Sequence, residues 1–200
     1  MTRSILQKSA SPDRDTLLRS VSKLQALFEK MDREYQAVSE KYGFVCGGCV
    51  DNCCRTRFYH HTFIEYHYIR QGFETISEQQ QQKRRQTASV VDQIHTLAHR
   101  EGTAAKEMCP LNMKGRCILY AYRPMICRLH GLPHELRRPG KAAQNHPGCN
   151  AFYEQCRQPA YIRFDRTPFY IEMSALEREL KSALGISERI KMTVAQMLLM

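Results

Sequence analysis

Apolar residues recur through the first part of the chain as Leu17, Val21, Leu24, Phe28, Met31, Tyr35, Val38 and Tyr42. The steps alternate four and three, which is the spacing of one helix face. Ser11, Pro12 and Asp13 supply an N-cap, a proline at N1 and an acid in the first turn, and Gly43 supplies the stop. The pattern predicts a helix of about eight turns. Its a-type positions are Val21, Phe28, Tyr35 and Tyr42, flanked by Leu18 and Leu27. That stripe is wider and more aromatic than a two-stranded seam prefers. The helix is therefore expected to pack on its own domain, against the 77–100 or the 168–184 helix. A monomer is expected over a coiled-coil dimer.

Further on, Thr62 and Glu65 have capping-box spacing and open a short helix expected to end near Gly72. Another helix is predicted from Ser77 to Arg100, stopping at Gly102. Its start, "QQQQKRRQ", reads as a solvated face, and Val90, Val91, Ile94, Leu97 and Ala98 form its apolar stripe. From Cys109 to Pro168 the texture changes. Seven of the eight prolines lie in or at the edge of this stretch, so long helices are not expected there. "GRCILYAY" predicts a short hairpin strand, and Pro124 a single helical turn carrying Cys127. Thr167 and Pro168 read as N-cap and N1 of a helix running to Leu184 with Gly185 as its stop. "VAQMLLM" predicts a short apolar helix.

Composition alters this picture at the cysteines. There are nine, and "CGGCVDNCCR" places Cys46, Cys49, Cys53 and Cys54 within nine residues. The start has no apolar signal region, and no window is apolar for long enough to span a membrane. A reducing cytoplasm is the expected setting, where clustered thiols stay free or bind metal. An odd cysteine count also suits a complete disulfide set poorly. A C-x-x-C turn converges two sulfurs on one point, and zinc or an iron–sulfur cluster takes four such ligands. Eight thiolates on two zinc ions, or on two [4Fe–4S] clusters, would lower the formal charge from +10 to about +6. Arg55, Arg57, Arg116, Arg123 and Arg128 lie beside the cysteines in sequence and could balance that charge. His60, His61 and His130 could complete a site but read more simply as ordinary surface or core histidines. The basic balance alone leaves a nucleic-acid-binding module open, without any helix-turn-helix, zinc-finger or RNA-binding signature.

The cysteine segment, together with "CPLNMKGRCILYAYRPMICR", resembles the YkgJ-type cysteine-cluster family of zinc- or iron-chelating domains. The family pattern C-x-x-C-x(2,3)-C-C, then C-P-x-L, G-x-C-x-x-Y and R-P-x-x-C-R, is met in order over about residues 44–130. The resemblance implies a metal held by Cys46, Cys49, Cys53, Cys54, Cys109, Cys117 and Cys127. Cys149, in the turn "HPGC", is favoured as the eighth ligand over Cys156, which reads as a buried thiol. Flagellin lysine N-methylases carry a similar motif, so an iron–sulfur-dependent protein-modifying enzyme is the alternative activity. Cys109, Cys117 and Cys127 are expected to fold back on the Cys46–Cys54 segment, with sulfurs in groups of three or four. Cys53 and Cys54 are expected to divide between directions.

The fold class expected is mainly α: a single helical domain with an irregular cysteine-rich metal-binding centre and at most a short β-hairpin. Residues 1–11 read as a flexible N-terminus, 12–43 as the long helix, 44–166 as the cysteine-cluster domain and 167–200 as C-terminal helices packing on it.

Overall fold

A computed structural model describes residues 14–47, 53–157 and 159–200. The expected N-cap at Ser11, the proline at Pro12 and the 1–11 segment lie outside the described residues. The fold is mainly α, with two small antiparallel strand pairs. Helix α1 spans Arg14–Tyr42, α2 Phe63–Glu74, α3 Glu78–Arg100, α4 Met125–Leu129, α5 Asn150–Gln155, α6 Thr167–Leu184 and α7 Val194–Leu199. Strands β1 (Asn112–Met113) and β2 (Arg116–Cys117) form one pair. Strands β3 (His134–Arg137) and β4 (Ala143–His146) form the other. No helix among the described residues is long and apolar enough to cross a membrane.

The 29 residues of α1 make a rod about 44 Å long. Val21, Leu24, Phe28, Met31 and Val38 are buried along its predicted stripe, and Leu27 joins them. The rod packs on α6, with α2 and α4 beside it. Lys23–Glu179 and Lys30–Glu172 ion pairs run in opposite sequence order and mark α1 and α6 as antiparallel. Both pairs are largely exposed, so burial of Leu24, Phe28, Met31, Phe169 and Met173 holds the helices together far more than charge does. Gly185 ends α6 at φ 63°, as the sequence predicts.

Helix α3 buries a different face from the one its hydrophobicity suggests. Ala88, Val91, His95 and Ala98 face inward, whereas Val90, Ile94 and Leu97 are exposed. Its main partner is the short α7. Small residues at 88 and 98 permit that close approach, and bulk at 90, 94 and 97 is left outside.

Another expectation is corrected at the start of α2. The Thr62–Glu65 pair does not close a capping box. Thr62 Oγ1 donates to Glu65 Oε2 at 2.5 Å, while the first amides of the helix, Phe63 and Ile64, donate to Glu177 at 3.0 and 3.2 Å. Glu65 Oε1 is thereby left to accept from Met125 N, the first amide of α4. The reciprocal box occurs instead at Thr193 and Gln196, opening α7.

Helix α2 ends at Glu74, near Gly72 as expected. The role of Gly72 is space: a Cβ there would lie 2.3 Å from the Tyr122 ring. Gly-to-Ala in a helix usually stabilises by about 0.5–1 kcal/mol. At Gly72 the sign should reverse, with a loss of about 1–3 kcal/mol as Tyr122 is displaced. Denaturant unfolding of Gly72→Ala measures this, and a neutral or stabilised variant would refute the contact.

The proline-rich stretch holds the second hairpin, which the sequence does not announce because "HELR" and "AQNH" lack apolar alternation. "GRCILYAY" contributes only Arg116–Cys117 to a strand and turns into a 3-10 helix at Tyr120–Tyr122. On β3–β4, His134 and His146 are cross-strand partners with rings stacked at 4.9 Å. Burial first, then Arg166, His146 and His130, lower the His134 pKa from its ordinary 6.5 to about 4, opposed by the Leu132 carbonyl that accepts from Nδ1. Between those values the unfolded chain takes up a proton that the folded hairpin refuses. The His134 contribution to stability is therefore full above about pH 6.5 and is lost as pH falls toward 4. Thermal midpoints should drop across that window, and His134→Asn should flatten the drop. An unchanged slope in the variant would remove His134 as its source.

Candidate metal centre

Six stretches of chain deliver cysteines to one cavity. At the end of α1, Phe44 N donates to Ser39 O at 2.9 Å and Ser39 Oγ donates back to Phe44 O at 2.5 Å, folding the chain over the helix end before Cys46. Cys53 and Cys54 sit on a 3-10 turn, Cys53–Arg55. Cys109 N donates to Cys54 O at 2.7 Å, a direct backbone tie between segments far apart in sequence. Cys117 stands on β2, opposite Asn112. Cys127 rides on α4, whose N-cap is Pro124. Cys149 is the N-cap of α5, and its N–H donates to Gly131 O at 2.9 Å. Gly131 in turn lies against Tyr35 of α1, whose hydroxyl donates to His130 O at 2.9 Å.

Cys46, Cys53, Cys54, Cys109, Cys117, Cys127 and Cys149 all line a single cavity of about 570 Å³. Cys156 does not line it; its sulfur donates to Tyr42 O at 3.5 Å, at the end of α5. Cys49 lies outside the described residues. The expected return of Cys109, Cys117 and Cys127 to the first cysteine segment is thus what the chain does.

Two finer expectations fail. Among the described residues, no three Cys, His, Asp or Glu side chains are grouped closely enough to hold one ion as they stand. Burial raises the pKa of Cys109, Cys117 and Cys127. Second, Cys53 and Cys54 do not divide. The Cys53 thiol hydrogen-bonds the Cys54 sulfur, which raises the pKa of Cys53 and lowers that of Cys54. Asn112 and Arg123 add to the lowering at Cys54. Of this pair, Cys54 is therefore the sulfur that ionises first.

The arginines separate into two kinds. Arg128 is buried and fully engaged: Nη1 pairs with Asp32 Oδ2 at 2.6 Å, Nε donates to Arg123 O at 2.8 Å, and the guanidinium lies 4.2 Å from the centre of the Phe28 ring. It joins α4 to α1 and has no charge to spare. Arg57, Arg116 and Arg123 line the cavity, whereas Arg55 does not.

The donor set suits a thiophilic cation, because sulfur ligands select zinc and iron–sulfur clusters over hard ions. Sequence reasoning missed Tyr35, Asn112 and His95, which also shape this cavity or its charge. For His95 the available signal was its helical spacing from Val91 and Ala98, a polar residue at an inward position.

Comparisons with protein-family models, with curated proteins and with solved structures find no match to this chain. The family resemblance rests on the motif residues themselves.

Proposed function

We propose that this protein binds a metal through its clustered cysteines, as zinc or an iron–sulfur cluster, in a structural, metal-handling or redox role. The observation that carries the reading is the placement of seven cysteines from six stretches of chain around one cavity. When bound, such a centre would supply either a rigid crosslink or an electron carrier. The chain's own part is to hold the thiols on fixed elements, make Cys54 the more readily ionised of the Cys53–Cys54 pair, and offset the negative charge with Arg57, Arg116 and Arg123. Cys49 is carried into the ligand set by its C-x-x-C spacing from Cys46, and Cys149 rather than Cys156 by its place on the cavity wall.

Elemental analysis and a visible spectrum of anaerobically purified protein test this. Zinc without colour, or iron and sulfide with a brown absorbance, is the expected result. Ser substitution at Cys109 and Cys127 together should at least halve the metal content. Ligands that are apart in the unfolded chain make binding energy into folding energy. A strong chelator should therefore loosen residues 44–130 far more than α1, as read by limited proteolysis. Protein that carries neither metal, takes up neither, and shows unchanged proteolysis with chelator would end the proposal.

A second reading, an enzyme that uses an iron–sulfur centre to modify another protein, draws on the size of the cavity, about 570 Å³. It requires an iron–sulfur spectrum, and colourless zinc protein would exclude it.

A further inference from the structure

The outer half of the β3–β4 hairpin is built of polar and basic residues, and from Arg137 to Asn145 every residue is exposed. The tip reads Arg137-Arg138-Pro139-Gly140-Lys141. Lys141 N donates to Arg138 O at 3.0 Å and Gly140 takes φ 70°, as in a type II turn with proline and glycine at its centre. Such a turn holds its two corners, Arg138 and Lys141, within about 7 Å of each other. Among the described residues, Arg137, Arg138 and Lys141 form no ion pair. No acidic residue occurs between Glu135 and Glu154. Like charges held this close repel, so their grouping works against the folded turn.

A second strip of chain adjoins the hairpin. Glu135 N donates to Phe164 O at 2.8 Å and Arg166 N to Glu135 O at 3.0 Å, which lays residues 164–166 along the edge of β3. Arg163 Nε lies 3.6 Å from Glu135 Oε2, and the Tyr161 hydroxyl hydrogen-bonds the same carboxylate. That hydroxyl also accepts from Phe164 N at 3.2 Å, which fixes the phenol while 46 % of the residue stays exposed. Arg137 stands two residues beyond Glu135 on β3 and so faces the same way. Its N–H donates to Thr167 Oγ1 at 2.9 Å, fastening the strand to the start of α6. Hydrogen bonds from Thr167 first, then Arg163 and Arg137, lower the Asp165 pKa, which sets both arginines near that carboxylate. The two carboxylates among these cations are engaged: Glu135 by Arg163 and Tyr161, Asp165 by the Thr167 N–H at 2.8 Å. Four cations and one exposed aromatic ring thus share one surface, and none of the five lines the cysteine cavity.

Arginine forks match phosphate oxygens, and an exposed tyrosine ring offers a stacking face to any base. The formal charge of +10 adds a long-range attraction for a polyanion. An acidic protein would use the cations and leave the ring idle. A membrane calls for large apolar side chains at the tip, and residues 137–145 have none. A duplex keeps its bases stacked on one another and out of the ring's reach, whereas a single strand can splay them.

We propose that the β3–β4 hairpin and the adjoining Tyr161–Arg163 strip form a binding surface for single-stranded nucleic acid. Arg137, Arg138, Lys141 and Arg163 donate to phosphates, and a base stacks on Tyr161. Phosphates and base faces carry little sequence information, so binding is sequence-tolerant. The surface goes beyond metal binding and stands or falls separately from it.

The test is fluorescence anisotropy of the full chain with labelled oligouridylate and oligothymidylate of about 12 nucleotides, at several salt concentrations. A duplex of the same length, polyglutamate and phosphatidylserine vesicles are the comparisons. Both single strands should bind saturably, at least tenfold tighter than duplex or polyglutamate. Arg138→Gln with Lys141→Gln should weaken binding at least fivefold and flatten the slope of log affinity against log salt by about 1.4. Tyr161→Leu should weaken it about fivefold or more at an unchanged slope, and Tyr161→Phe should keep most of the affinity. Lys83→Gln with Arg100→Gln removes equal charge from exposed positions on α3 and should change affinity less than twofold. Should Tyr161→Leu disturb the fold, ultraviolet crosslinking of oligouridylate to the parent protein reports instead, with adducts expected on the peptides that span 137–163. No binding of either single strand, equal or tighter binding of duplex, polyglutamate or vesicles, adducts only elsewhere, or an equal loss in the α3 control would each overturn the proposal. Metal content measured on the same samples reports separately on the thiol centre.

Discussion

Phe152→Ala should be among the most destabilising single substitutions in this chain, costing about 3–5 kcal/mol. The ring is 0 % exposed and meets Tyr42 at 4.9 Å and Phe44 at 5.4 Å, both edge-on. Gly148 lies so close that a Cβ on it would fall 2.7 Å from the ring. Removing the ring leaves a cavity that these rigid neighbours cannot close. The loss is also local to the thiols. Helix α5 grips the chain after α1 through Gln155, which exchanges two hydrogen bonds of 3.1 Å with the Val45 backbone. Phe152 fills the space between that segment, which leads to Cys46, and the turn that holds Cys149. The variant should therefore expose Cys46 and Cys149 to a thiol reagent sooner than Cys117. Chemical denaturation gives the energy, and mass spectrometry of timed alkylation gives the order. Ile171→Ala, at a position 63 % exposed, is the control and should stay within about 0.5 kcal/mol. A loss at Phe152 no larger than the control's would refute the packing argument.

The same region shows how far sequence carries. The α1 stripe, the starts of α3 and α7 and the Gly185 stop follow from local rules of spacing and capping, and local rules are visible along a chain. The return of Cys109, Cys117 and Cys127 was legible because their fixed order is a motif. Cys149 was separable from Cys156 through "HPGC", whose turn presents an N-cap instead of a helix end. What stayed hidden was settled by distant partners. Glu177 takes the Phe63 and Ile64 amides at the start of α2, and no spacing rule announces a partner more than a hundred residues away. The inward face of α3 depends on α7, so its most apolar stripe lost to one containing His95. The Cys53–Cys54 hydrogen bond depends on a 3-10 turn that sequence spacing read as an α-helical rotation.

Arg128 illustrates why motif residues need a structural assignment of their own. It belongs to the R-P-x-x-C-R element and sits next to Cys127, so charge compensation was its expected role. Instead Asp32, the Arg123 and Ala121 carbonyls and the Phe28 ring account for its donors and its face. An arginine so bound places α4 on α1 and thereby sets the depth of Cys127. Arg123, on the same cavity wall, is held by Tyr120: its guanidinium lies 3.5 Å from the centre of that ring and its Nε donates to the Tyr120 carbonyl at 2.9 Å.

Glu65→Ala should lose about 2–4 kcal/mol and release Cys127. Glu65 is 5 % exposed and serves two donors at once, Met125 N at 2.8 Å and Thr62 Oγ1 at 2.5 Å. Met125 opens α4, a helix of five residues that is too short to be stable alone. Its orientation depends on this tether at one end and on Arg128 along its length. Alanine strands the Met125 N–H in the interior and leaves a gap where the carboxylate was. Glutamine keeps an oxygen for Met125 N, and its amide can donate to Thr62 Oγ1, so Glu65→Gln should recover more than half of the loss. The discriminating measurement is alkylation of Cys127 under native conditions. It should accelerate at least tenfold in Glu65→Ala and much less in Glu65→Gln, with Cys156 unchanged in both as an internal reference. If both variants unfold to the same extent while Cys127 stays as protected as in the parent protein, Glu65 serves α2 alone and does not position α4.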